Sequence, residues 1–149
     1  MQSIDGKTIC QIGIVVRDLT KSRAAWADLL GCEPPPIIET QDRSRTGVEH
    51  RGHPTDARAK LVLFNLGQVT IELIQPVGEP STWNDHLAEH GESVHHLAFH
   101  VDAIESKRSA LEQRQFPLVQ HGRFPGGGYA YFEARKKLGC DVELLETDH

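Results

Sequence analysis

The strongest constraint on this chain is that it repeats itself. Gln11-Ile-Gly-Ile-Val-Val16, followed by Arg17-Asp18 and a helical run, returns as His96-Leu-Ala-Phe-His-Val101, followed by Asp102 and a second helical run, at an offset of 85 residues. Val16 falls on Val101, Arg23 on Arg108 and Ala25 on Ala110, and further on Ile71-Glu-Leu-Ile74 is answered by Val142-Glu-Leu-Leu145. Self-similarity at a fixed spacing marks one supersecondary unit used twice, each copy burying its apolar face with the help of the other.

The pattern within each copy defines the unit. The opening run is short and β-branched and leads into Asp18, a helix cap. Ala25, Trp26, Leu29 and Leu30 then recur at helical spacing, and Gly31 ends a helix over 19–30. Pro34, Pro35 and Pro36 break the pattern, and a weakly patterned stretch to Gly52 and a polar loop over 54–57 follow. Runs 60–66 and 69–75 then read as strands about a tight Gly67-Gln68 turn. Ser81 caps a short linker helix over 82–90, closed by Gly91. The second copy adds a helix over 104–114 and strands over 117–120 and 128–132. The expectation is one domain over 1–149, with βαβββ modules at about 8–76 and 94–146 joined by a linker helix at 81–91.

At 149 residues and 16.6 kDa the chain suits a single core. A net charge of −5 and a pI near 6.0 offer little general attraction to phosphate backbones or anionic lipid, so neither nucleic acid nor membrane is an expected partner. The first nine residues hold no long apolar leader, and no apolar run approaches the roughly 18 residues that span a bilayer, so a cytoplasmic location is expected. Cys10, Cys32 and Cys140 form no Cys-x-x-Cys pair and read as buried reduced thiols.

Side chains alternate across a strand. Ile12, Ile14 and Val16 therefore share an apolar face, with Gln11 on the other. Leu97, Phe99 and Val101 share one, with His96 opposite. Ile71 and Leu73 lie against Glu72, and Val142 and Leu144 against Glu143, in the same way. Four polar residues thus hold equivalent positions in two modules. If the modules curl toward each other, Gln11, Glu72, His96 and Glu143 converge, and two carboxylates buried side by side repel unless a cation lies between them. One imidazole, one amide oxygen and two carboxylates suit a divalent Zn, Co, Ni, Mn or Mg ion with positions left for water or substrate. Singly, each residue also reads as an exposed glutamate or a hydrogen-bonded core histidine; the joint placement favours the site.

At these residues the chain resembles the vicinal oxygen chelate superfamily, which includes glyoxalase I, methylmalonyl-CoA epimerase, extradiol dioxygenases and bleomycin-resistance proteins. The likeness spans nearly the whole length. It is nearest to methylmalonyl-CoA epimerase through Gln11-Ile-Gly-Ile-Val-Val-Arg-Asp-Leu19, Ile71-Glu-Leu-Ile-Gln-Pro76, Gly91-Glu-Ser-Val-His-His-Leu-Ala-Phe99 and Val142-Glu-Leu-Leu-Glu146. The resemblance implies an α+β fold, an open, cupped, eight-stranded mixed sheet with helices outside, and a homodimer. It maps the metal ligands onto Gln11, Glu72, His96 and Glu143, where the epimerase pattern reads His, Gln, His, Glu and some glyoxalase I enzymes read Gln, Glu, His, Glu. It implies removal and return of a proton beside a carbonyl in a small carbonyl compound or thioester, with Glu143 as base and Glu72 as its counterpart. Glu49 or His50 replaces Glu72 in that role if the loop before Lys60 folds inward. A glyoxalase I-like lactoylglutathione lyase and a metal-free small-molecule binding or resistance protein are the competing readings.

Four further features complete the expectations. His86 and His90, four apart on the linker helix, read as a solvated face rather than a metal clasp. His95 is expected on the opposite face from His96, in a structural hydrogen bond. Gly126-Gly-Gly128 precedes a strand, so it reads as a hairpin or flexible lid and not a phosphate loop. Arg135-Lys136-Lys137 is a candidate contact for a coenzyme A phosphate, with a solvated turn as the alternative.

Overall fold

A computed structural model describes residues 3–149; Met1 and Gln2, where the stretch read as leaderless begins, lie outside the described residues. The first module contributes β1 (Ile9–Val15), α1 (Leu19–Leu30), β2 (Ile38–Glu39), α2 (Arg43–Thr46), β3 (Glu49–His50), β4 (His53–Pro54), β5 (Arg58–Asn65) and β6 (Thr70–Val77). The linker helix α3 (Thr82–His90) leads to β7 (Ser93–His100), α4 (Ile104–Glu112), β8 (Leu118–Phe124), β9 (Gly127–Phe132), α5 (Arg135–Leu138) and β10 (Asp141–Thr147). Local chemistry sets the bounds of α1: the Asp18 carboxylate accepts from the Lys21 amide, and Gly31 at φ 67° closes the helix in the left-handed conformation a glycine adopts freely.

All strands form one strongly curled, open mixed sheet in the order β2-β5-β6-β1-β7-β10-β9-β8-β3-β4. Antiparallel β1 and β7 make the central seam, and each pairs in parallel on its outer side, β1 with β6 and β7 with β10. The two modules are therefore related by an approximate two-fold rotation about the seam. The sheet has ten strands, not the expected eight. The additional pair comes from the weakly patterned stretch after α2, where β3 and β4 form a two-residue hairpin that adds to β8, in the other module. Segments this short carry no periodicity to announce them.

The alternation argument holds in three dimensions. Ile12, Ile14, Val16, Ile71 and Leu73 pack with Leu19 and Ala27 of α1. Val101, Val142 and Leu144 pack with Leu111 and Phe132 under α4. Both helices thus cover the convex side, and the concave side is left for Gln11, Glu72, His96 and Glu143. The three thiols are free; Cys10 and Cys140 are half-buried, and Cys32, just past α1, is exposed rather than buried. Among the described residues no helix is long and apolar enough to cross a membrane.

Candidate active site

The concave face encloses a cavity of about 510 Å³ with Gln11, Glu72 and Glu143 at its floor. His96, fully buried, stands at the centre of this floor. Its Nε2 lies 3.0 Å from Gln11 Oε1, 3.2 Å from Glu143 Oε1 and 3.7 Å from Glu72 Oε1. The four predicted residues thus meet.

The ring can lie there because Gly13, directly across the seam, has no side chain: a Cβ at Gly13 would stand 2.0 Å from His96 Cε1. Gly13→Ala is therefore expected to drive the imidazole off the floor, lowering stability by about 1–3 kcal/mol and weakening divalent-ion binding measured by calorimetry. An alanine variant that binds ions like the parent would disprove this.

The floor is electrostatically strained. Burial, and then the neighbouring charge of Glu143, push the Glu72 carboxyl up to about 8, with His96 opposing them. Burial alone would lower His96, but the negative charge of Glu143, with that of Glu72 and Asp141, outweighs it and raises the imidazole. Glu143 Oε1 is buried and has no hydrogen-bond partner. An unpartnered buried carboxylate oxygen is costly and marks a place for a cation.

The donor set fits one. Ligands about 2.1 Å from a common ion lie about 3.0 Å apart when cis in an octahedron and about 3.4 Å apart in a tetrahedron. The oxygens around His96 Nε2 span 3.0 to 3.7 Å. Among the described residues no three His, Cys, Asp or Glu groups form a ready metal cage by themselves. The amide of Gln11 belongs to the set, and Glu72 stands furthest out.

The sequence model of the Glyoxalase/Bleomycin resistance protein/Dioxygenase superfamily matches residues 10–132, which include three of these four residues. The chain belongs to this superfamily. A Bacillus subtilis (strain 168) protein, the uncharacterised YqjC, is 26% identical over 140 residues, covering 91% of this chain and 89% of that one. A Mycobacterium tuberculosis methylmalonyl-CoA epimerase superposes with a TM-score of 0.64 at 20% identity, over 100% of this chain and 93% of the other. A methylmalonyl-CoA epimerase in complex with methylmalonyl-CoA and ammonium superposes with a TM-score of 0.63 at 18% identity, over 96% of each chain.

In this superfamily member the cavity wall was the part least visible in advance. Tyr131 and Tyr129 stand opposite Glu143 and Leu145 across the β9–β10 pairing, and both rings line the cavity with Trp83. Trp83 Nε1 donates to the Tyr131 hydroxyl and Gln120 to that of Tyr129, so each phenol is held in place. Burial and the floor carboxylates raise both hydroxyls, which remain protonated donors. The signal existed: Tyr129 and Tyr131 alternate with the core residue Ala130 on one strand. The Gly126 turn forms the β8–β9 hairpin, whose Phe124 and Pro125 line the rim.

Several expectations are corrected. Glu49 does not reach the cavity; its carboxylate lies 3.6 Å from His121 Nε2, its cross-strand neighbour in β8. His50 pairs with Asp85 at 3.1 Å. Neither can stand in for Glu72. His86 is buried, not solvated, its Nε2 2.7 Å from the Ser93 hydroxyl, while His90 is exposed. Arg135 donates to the Val94 carbonyl, and Lys137 to that of Arg114, so this basic turn braces α5 away from the cavity. His95 shares a face with His96: Gly13 pairs with His96 but Ile14 with Val94, so His95 is the extra residue of a β-bulge, where strict alternation lapses.

Proposed function

We propose that the chain is a metal-dependent enzyme of the epimerase or isomerase kind, which removes a proton beside a carbonyl and returns it, acting in the cytoplasm on a small carbonyl compound or thioester. The observation that carries this reading is the pair of buried carboxylates, Glu72 and Glu143, flanking one imidazole and one amide beneath an apolar cavity, with one oxygen of Glu143 left without a donor. Gln11, Glu72, His96 and Glu143 hold one divalent ion, Zn, Co, Ni, Mn or Mg. When bound, that ion supplies the positive charge that offsets the negative charge developing on the carbonyl oxygen.

The protein's own groups do the rest. Glu143 takes the proton from the α-carbon: its side chain lines the cavity, and its unpartnered oxygen has no hydrogen bond to break. Glu72 comes from β6, on the other side of the seam from β10, and returns a proton from the opposite direction. The aromatic wall excludes water, which strengthens both interactions. The structural likeness to epimerases, one in complex with methylmalonyl-CoA, supports a thioester as substrate and, by analogy within the family, a homodimer.

The second carboxylate favours one alternative. Two carboxylates balance a divalent ion fully, where the epimerase pattern, with one, leaves a positive charge for an anionic malonyl group. A neutral adduct, such as the hemithioacetal taken by a glyoxalase I-like lyase, suits a balanced site. The test is incubation of Co²⁺-loaded protein in D₂O with methylmalonyl-CoA, other acyl-CoA esters and methylglyoxal hemithioacetal, followed by NMR. Deuterium entering the α position of a thioester supports the epimerase reading, and lactoyl thioester formation moves the assignment to the lyase. Failure to bind any divalent ion overturns both in favour of a metal-free binding protein.

A further inference from the structure

The bulge in β7 leaves two adjacent imidazoles in contact. His95 Nδ1 lies 2.8 Å from His96 Nδ1, and the rings are nearly perpendicular. A single proton occupies that gap, so one nitrogen donates and the other accepts. Nε2 of His96 is the atom that faces Gln11, Glu72 and Glu143. If Nε2 is to offer a lone pair to a cation, the ring proton must sit on Nδ1, and His95 Nδ1 must then accept it. His95 in turn carries its own proton on Nε2, which lies 3.2 Å from the Thr82 hydroxyl, with Asp141 Oδ2 at 3.9 Å.

The surroundings hold this arrangement. His95 and His96 are both fully buried, and the ring of Tyr131 packs against each at 5.0 and 4.9 Å. Thr82 is anchored through its amide, which donates to Gln120 Oε1 at 2.8 Å, and Asp141 through Oδ1, which accepts from the Ala134 amide at 3.0 Å. Neither ring can turn without losing a buried hydrogen bond.

We infer that His95 is a positioning residue: accepting the Nδ1 proton of His96, it fixes the His96 tautomer and aims the Nε2 lone pair into the donor set. The inference rests on the proposed metal reading only in giving Nε2 a ligand's role. Its test uses the full chain and Co²⁺ binding. His95→Leu, which cannot accept a proton, is expected to weaken Co²⁺ binding by about 10- to 100-fold. His95→Gln, whose side-chain oxygen can accept from His96 while its amide faces Thr82, is expected to recover most of that loss. A merely structural role would move melting temperature in both variants without this recovery.

Nitrogen-15 NMR of the Zn²⁺-loaded wild type reads the tautomers directly. Nδ1 of His95 without a proton and Nε2 with one is the expected result; a proton on His95 Nδ1, or Co²⁺ binding to His95→Leu at wild-type affinity, overturns the inference. If His95→Leu does not fold, Thr82→Val removes the acceptor at the far end, and unchanged Co²⁺ affinity and His95 signals in it would count against the relay. A wild type that binds no divalent ion sinks the metal reading alone. His95 is then read by the same spectrum of the metal-free protein at pH 6, where a proton on its Nδ1 overturns the inference and its absence upholds it.

Discussion

Glu143→Gln is expected to lower α-proton exchange by about 10²- to 10⁴-fold, the span a positioned general base contributes. The substitution keeps the shape and the buried position of the side chain, 3% exposed, and removes only the charge and the basicity. Loss of metal binding is a separate effect. An amide oxygen still ligates, as that of Gln11 does in the proposed set, so the variant assayed at saturating Co²⁺ isolates the proton-transfer role. In the metal-free protein the same change relieves Glu72 of a neighbouring charge but takes from His96 the carboxylate that raises it, so two opposing effects on stability meet there. Exchange at the wild-type rate under saturating metal would remove Glu143 as the base. Exchange that fails while Co²⁺ still binds is the signature of a carboxylate needed for proton transfer rather than for holding the ion.

The second large effect is the response of the metal-free protein to pH. Glu72 rises from an ordinary 4.5 to about 8 on folding, so the folded chain binds more protons than the unfolded chain between those values. Its contribution to stability is present in full below about 4.5 and is lost as pH rises through about 8. His96, also raised, acts in the same direction above its ordinary 6.5. His86, lowered to about 4, and His95, also lowered, act oppositely, but their contributions are complete once the pH exceeds 6.5. From pH 6.5 to 8 the protein in chelator should therefore lose about 2 kcal/mol, a fall of roughly 4–8 °C in melting temperature for a chain of this size. Saturating Zn²⁺ should flatten the profile and stabilise more at pH 8 than at pH 6.5, since ligands must shed protons to bind. A melting temperature in chelator that holds steady or climbs over this interval would contradict the buried carboxylate pair.

Much of this architecture is legible because alternation and repetition are properties of the chain itself. Asp18 and Gly31 bound α1 where the sequence analysis places them, and the period of two in Ile71-Glu-Leu-Ile74 turns Glu72 away from the core that holds Ile71 and Leu73. Convergence of the four donors followed from equivalent positions in two copies. What escaped depends on pairing between distant segments. The bulge at His95 exists only in relation to Gly13 and Ile14, so the step of one face per residue fails there without local warning. The β3–β4 hairpin is too short for periodicity, and its partner β8 lies in the other module. His86 carries a polar side chain whose burial is decided by contacts outside its helix, with Ser93 of β7 and Arg135 of α5.

That hairpin also changes what the duplication means. Chain from the first copy completes the outer edge of the second, and Thr46 and Val48 on the way to it line the cavity. Cut at the linker, the first half would keep a hairpin with no sheet to join and the second a sheet missing its border. The halves are alike in plan yet no longer separable, and a wall strung between them on so little regular structure is where the chain can be rewritten to admit a different guest while the four donors stay untouched.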